Sequence, residues 1–214
     1  MSTLSISNIV SNAWEHFKTH SLNISLAFIS YIILSILVSV IEFMGELTGK
    51  PMIALLTTIF CGLMNIIFAL GFAKFILDIV RNEKVRIETL FSQYKPMLIL
   101  NYVIATIISV VLTCVGFLIL IIPGVYIAIR LQYVTLNLIE QEKPNFIEAI
   151  KSSWNMTRGN MLDLLALSLI SIFIMITGVL ALVVGIFIAA PLVTLISTIA
   201  YKTLEDNYNP EEIY

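Results

Sequence analysis

The sequence predicts an all-α, polytopic membrane bundle of about six transmembrane helices, with three short interfacial amphipathic helices. Three observations carry that expectation: the composition, a series of long apolar runs, and a one-sided placement of lysine and arginine. Of 214 residues, 59% are hydrophobic and 12% are charged, and the mean hydropathy is +0.99. A soluble domain is ordinarily about half apolar and about a quarter charged. Too little polar surface is left to cover a globule in water, so lipid is the solvent that fits.

The apolar runs cover residues 22–41, 52–80, 97–120, 123 to about 139, 162–177 and 180–196. A helix needs roughly 20 mostly apolar residues to cross a bilayer, and the chain has room for about six. The breaks carry turn residues: Gly45, Gly49 and Pro51, then Pro123-Gly124, then Gly178. Helix is the expected structure because a lipid-exposed backbone must satisfy its own hydrogen bonds. A barrel strand alternates with period two, and the run Leu118-Ile119-Leu120-Ile121-Ile122 does not.

Orientation follows from the basic residues, which concentrate on the cytoplasmic side of membrane proteins. With the N-terminus inside, the cytoplasmic segments hold Lys18; Lys74, Arg81, Lys84, Arg86 and Lys95; Arg130, Lys143, Lys151 and Arg158; and Lys202. The outside loops hold Lys50. The expected location is therefore the cell (inner) membrane, with both termini cytoplasmic. The segment before the first run lacks a basic region, and no small-residue cleavage site follows, so no signal peptide is expected.

A short amphipathic segment precedes the first, third and fifth spans. Ile6, Ile9, Val10, Ala13, Trp14 and Phe17 form one helical face. Ile87, Leu90, Phe91 and Tyr94 form the second, and Phe146, Ala149, Ile150 and Trp154 the third. Each ends in an aromatic residue with a cation four positions later: Trp14 and Lys18, Phe91 and Lys95, Trp154 and Arg158. A ring at the apolar boundary with a cation reaching phosphate is the pattern of a membrane-interface helix. The sequence thus reads as one transmembrane domain over 1–204. It divides into three units of interfacial helix plus two-span hairpin (1–80, 81–140 and 141–204), followed by a polar, disordered tail over 205–214.

The stretch Ile121-Ile122-Pro123-Gly124-Val125-Tyr126 precedes Glu148-Ala149-Ile150 and then Ser153-Trp154-Asn155-Met156-Thr157-Arg158-Gly159-Asn160. This combination resembles the YciC-like bacterial membrane proteins. They belong to the wider group named for the membrane domain of glycerophosphoryl diester phosphodiesterase. Ala13-Trp14 to Phe17-Lys18 and the region from Gly71 to Tyr94 look similar too, so the resemblance covers most of the chain. It implies a six-span bacterial inner-membrane protein. It implies no reaction, because the group has no agreed catalytic motif and the phosphodiesterase activity belongs to a separate soluble domain.

Arg130 is the most informative single residue. It lies about 10 Å along a helix from Pro123, well inside a span. A charge there costs at least about 2.5–3.5 kcal/mol and needs a partner or a wet cavity. It is read either as an anion or lipid-headgroup contact, or as half of a structural pair with a carboxylate. The expected partners are the polar end of the second span, where Lys74, Asp78 and Arg81 follow helical spacing, and Asp163 early in the fifth. Lys74 and Asp78 can also pair with each other, and snorkelling explains that trio equally well. Pro123, Gly124 and Pro191 are candidate hinges, with a static kink the plainer reading of Pro191.

His16 and His20 have metal-ligand spacing but no third ligand in reach of sequence reasoning. Cys61 and Cys114 lie in apolar runs and read as buried thiols. No metal or other cofactor is expected, and no catalytic constellation is present, so the chain is not expected to be an enzyme. Its net charge of −2 argues against nucleic acid. The expected partners are the bilayer, an anionic lipid, and a second copy or another membrane protein. The leading expectation is a non-enzymatic envelope protein that binds or moves a lipid or small solute. A scaffold or partner subunit comes second, using small-residue faces such as 178–185, and an intramembrane enzyme third. Reporter tags at residue 1 and residue 214 should both be protected from protease added outside intact cells; exposure of either end would reverse the topology.

Overall fold

The computed structural model describes residues 4–83, 87–91, 93 and 95–208. Lys84, Arg86, Tyr94 and the tail from residue 209 lie outside the described residues, as do the side chains of Ile87 and Phe91. The described residues are helical, with no strand among them. In order, they form α1 (Ile6–Thr19), α2 (Ser21–Leu47), α3 (Pro51–Val80), a 3-10 turn (Ile87–Phe91), α4 (Pro96–Ile119), α5 (Ile121–Leu131), α6 (Val134–Glu140), α7 (Phe146–Met156), α8 (Met161–Leu180) and α9 (Leu182–Asp206).

Among the described residues, six stretches are long and apolar enough to cross a membrane: α2, α3, α4, Ile121–Glu140, α8 and Gly185–Asp206. They carry a belt of exposed aliphatic and aromatic side chains, reaching 85% exposure at Leu118. Such a belt is untenable in water and ordinary in lipid. The protein is therefore an all-α, multi-pass membrane bundle.

The spans pair as hairpins, α2 with α3, α4 with α5 and α8 with α9. Small residues let the backbones close. A Cβ on Gly116 would lie 2.9 Å from the Gly124 Cα, and one on Gly178 would lie 3.0 Å from the Gly185 carbonyl oxygen. Both pairs belong to intramolecular hairpins. The small residues of 178–185, expected as a face for a partner, are spent inside the α8–α9 hairpin. Pro123 sits in the first turn of α5, where its missing N–H costs nothing, and Gly124 packs against Phe117. Helix α9 runs through Pro191 without interruption. Neither proline interrupts its helix, and the discontinuity within a span lies elsewhere: the fourth span breaks at Gln132–Tyr133, between α5 and α6.

The core joins α1, α2, α3 and α9. Phe28 meets Phe72 and Phe187 at 5.7 Å between ring centroids, and Tyr31 meets Phe72 at 5.6 Å. Ile9, Ala13 and Phe17 bury the apolar face of α1, which packs on α9; likewise the 3-10 turn packs on α3, and α7 on α6. Each segment that precedes a hairpin therefore rests on the closing helix of another hairpin.

The second of these segments is a five-residue 3-10 turn rather than an α-helix. Its placement depends on Gly71, whose Cβ position lies 2.0 Å from the Leu90 carbonyl oxygen. Gly71→Ala should unseat the turn and cost about 1–3 kcal/mol, lowering the melting temperature in detergent by several degrees. Gly62→Ala, which meets nothing within 4 Å, should leave it level or slightly raised; equal effects would refute the close packing of the turn on α3.

Candidate functional site

Three polar sites stand out among the described residues. The first is built around Arg130, on the last turn of α5 and only 7% exposed. Its Nε and Nη2 donate to the Tyr126 hydroxyl at 3.1 and 2.7 Å. Its Nη1 donates to the Trp154 carbonyl at 2.6 Å and to Thr157 Oγ1 at 3.4 Å. The guanidinium carbon lies 5.0 Å from the Tyr126 ring centroid and 5.1 Å from that of Trp154. No carboxylate lies within ion-pair distance among the described residues.

The expected ion pair with Asp78 or Asp163 is therefore corrected: the charge is held by neutral acceptors and two aromatic faces. The magnitudes allow it. Hydrogen bonds to a charged group contribute about 1.5–3 kcal/mol each, and a desolvated cation–π contact contributes up to about 2 kcal/mol or more. Three acceptors and two rings outweigh an insertion cost of about 2.5–3.5 kcal/mol. The last carbonyls of α7 add the negative end of its dipole.

Local sequence sets α7 in place. Asn145 caps it by accepting from the Ile147 N–H at 3.0 Å. Asn101 on α4 accepts from the Phe146 N–H at 3.0 Å. Its buried face presents Ala149, Ser153 and Met156. Ser153 Oγ donates to the Arg130 carbonyl at 2.7 Å and accepts from the Tyr133 N–H at 3.3 Å. This hydroxyl enters the helical ladder of the fourth span and takes over both groups, a recognised cause of helix breaks. Asn137 then secures α6 by accepting from Ser152 Oγ at 2.9 Å.

The second place ties the ends of α3, α6 and α9. α3 ends on Asn82 at φ 56. The Asn82 N–H bonds the Ile79 carbonyl and the Glu83 N–H the Asp78 carbonyl, the paired pattern of a left-handed helix stop. That holds Arg81 at the rim, where it pairs with Glu140 and, at 2.7 Å, with Glu205. Burial lowers the Arg81 pKa, and the two carboxylates more than reverse this, leaving it above its ordinary value. Tyr201 donates to Glu140 at 2.5 Å, and Lys202 donates to the Val80 carbonyl at 3.3 Å. Glu205 and Asp206 are thus helical, and Glu205 is engaged, contrary to the disordered tail expected from residue 205.

Other expected site residues stand apart. Lys74 pairs with Asp78 at 2.5 Å and lies 3.9 Å from Glu83. Asp163 occupies the first turn of α8. Trp14, Lys18, Lys95 and Arg158 are exposed, as an interface position requires. Trp154 is 37% exposed but also walls Arg130. His16 and His20 stack at 6.5 Å between ring centroids, and burial, then His20 and Lys202, lower the His16 pKa. Cys61 is buried, whereas Cys114, also expected to be buried, is exposed on α4.

The third place was not foreseen. Beside the break, α8 and α9 enclose a cleft of about 220 Å³ whose lining includes Gln132, Tyr133, Ser168, Ser171 and Ser197. It runs into an apolar groove of about 390 Å³ along α8, with Ser171, Ile172 and Val193 common to both. Ser168 Oγ donates to the Leu164 carbonyl. Gln132, Ser171 and Ser197 have no side-chain hydrogen bond among the described residues.

Sequence reasoning also missed Tyr126 as the partner of Arg130, although the pair repeats the aromatic-then-cation spacing seen three times elsewhere. Glu140 and Glu205 left no comparable signal, because their partner Arg81 is distant in sequence, and Gln132 matters only through the helices that pack beside it. No family model matches the chain, nor does any curated protein or solved structure.

If Arg130 and Tyr126 act as one unit, Tyr126→Phe should cost about 1–3 kcal/mol in the native protein and much less in an Arg130→Met background. Thermal unfolding in detergent of the four combinations measures the coupling, and purely additive losses would show that the cage is incidental.

Proposed function

We propose that the protein is a non-enzymatic membrane protein that binds a lipid at the break in its fourth span. The observation that carries this reading is the cleft between that break, α8 and α9, which joins polar side chains to an apolar groove. Irregular backbone at membrane depth is tolerated where it is buried in protein or lines a cavity, and broken spans mark the binding sites of many transporters. Here Ser153 repairs the break from one side, and the cleft opens on the other.

On this reading Arg130 is a fixture rather than a ligand contact, since its donors already point at Tyr126, Trp154 and Thr157. The end of the bundle that carries both termini faces the cytoplasm of a bacterial inner membrane. Lysine and arginine are concentrated there, and Lys50 lies at the other end. The family resemblance belongs to the same proposal, since its quoted residues Tyr126, Ser153, Trp154 and Thr157 meet at Arg130.

Native mass spectrometry of protein extracted in mild detergent should find one lipid retained per chain. Ser197→Leu, which fills the cleft, should lose that lipid while keeping the melting temperature within a few degrees. Retention of the lipid by a folded Ser197→Leu protein would place the bound molecule elsewhere and end this reading.

A further inference from the structure

The geometry points to a lipid with an uncharged, hydrogen-bonding head and a single acyl chain, its head at Gln132 and its chain along α8. This inference rests on the proposed lipid-binding site and names the class of its ligand.

The first argument is the chemistry of the lining. The polar residues are one amide and four hydroxyls, Gln132 with Tyr133, Ser168, Ser171 and Ser197, and no charged side chain lines either the cleft or the groove. Amides and hydroxyls both donate and accept, which matches a hydroxyl or amide head. A phosphate would be desolvated here without a counter-charge, a penalty of several kcal/mol. Arg130 is close in sequence but is held by Tyr126 and the end of α7, so it supplies none.

The second argument is depth. Gln132 is about 12 Å along the chain from Glu140 at about 1.5 Å per residue, and Glu140 belongs to the ion cluster at the bundle's rim. A head bound at Gln132 therefore lies well below the level of ordinary headgroups. An uncharged head can sink that far, whereas a charged one pays the cost of a buried ion.

The third argument is the shape of the continuation. Ile172, Met175, Ile176 and Val179 stand at successive three- and four-residue steps on α8, so they form one strip. From Ser168 to Leu180 that helix rises about 18 Å. One leaflet of a hydrocarbon core of about 30 Å is about 15 Å deep. The groove itself, from Ser171 to Leu180, accounts for about 14 Å of that rise, close to the depth of one leaflet.

The test uses the full chain in phosphatidylcholine vesicles that contain either a monoacylglycerol or a phosphatidylglycerol, each with the same photoreactive acyl chain. Cross-links are mapped by peptide mass spectrometry. The monoacylglycerol should label residues 172–180, excess unlabelled monoolein should compete, and Gln132→Leu should cut labelling about five- to tenfold, the factor expected for one lost hydrogen bond. Arg158→Ala should leave labelling unchanged.

Equal labelling by the phosphatidylglycerol, or undiminished labelling of a folded Gln132→Leu protein, overturns the ligand class while the lipid site stands. If neither probe labels 172–180 above the exposed face of α2, the lipid site falls with it. Ser197→Leu serves where Gln132→Leu fails to fold, and continued labelling by the monoacylglycerol in that variant also overturns the inference.

Discussion

The structure depends on the grip that one turn of α7 exerts on Arg130. Ser153 takes the carbonyl of Arg130, while Trp154 and Thr157 take its guanidinium. Backbone and side chain of one residue are thus fixed by residues 20–30 positions later. The same Ser153 hydroxyl accepts the Tyr133 N–H, so the hold on Arg130 and the break in the fourth span are one event. Without the break, α5 and α6 would continue as one helix, and the space between Gln132, α8 and α9 would have a different form.

This arrangement separates charge from the cleft. Arg130 faces Tyr126 and α7, and Gln132, two residues on, faces α8 and α9. A helix turns about 100° per residue, so neighbouring side chains at a break can serve opposite sides. A separate ionic cluster sits at the rim, where Arg81 lies between Glu140 and Glu205. Their solvent screening is partial, so the stability they contribute is modest compared with a dry pair. What they secure is the relative position of three helix ends.

The spans were legible because their signal is local. Hydropathy over about 20 residues is decided by the residues themselves, and lipid leaves helix as the one simple solution. The same is true of α1 and α7, whose apolar faces repeat every three or four positions. The break was not legible, because its cause is a serine 20 positions away. The run from 123 to about 139 contains no residue that demands an interruption. Arg130 was correctly singled out as a buried cation in need of partners. A carboxylate was expected because charge balance is the simplest rule, and three neutral acceptors with two rings proved sufficient. The polar tail misled for a related reason: Glu205 reads as solvent-loving, and its role is visible only beside Arg81.

The rim cluster also constrains the order in which the molecule can be completed. Arg81 and Glu205 are 124 positions apart, and Glu140 lies between them. During synthesis Glu140 emerges before Glu205, so one of the two carboxylates is available to Arg81 before the other. Glu205 arrives only when the last helix has been threaded, and it brings Lys202 to the exposed end of α3 in the same step. The final turn of α9 therefore acts as a latch that cannot close early, and every chain cut short before it is left with an unfastened rim.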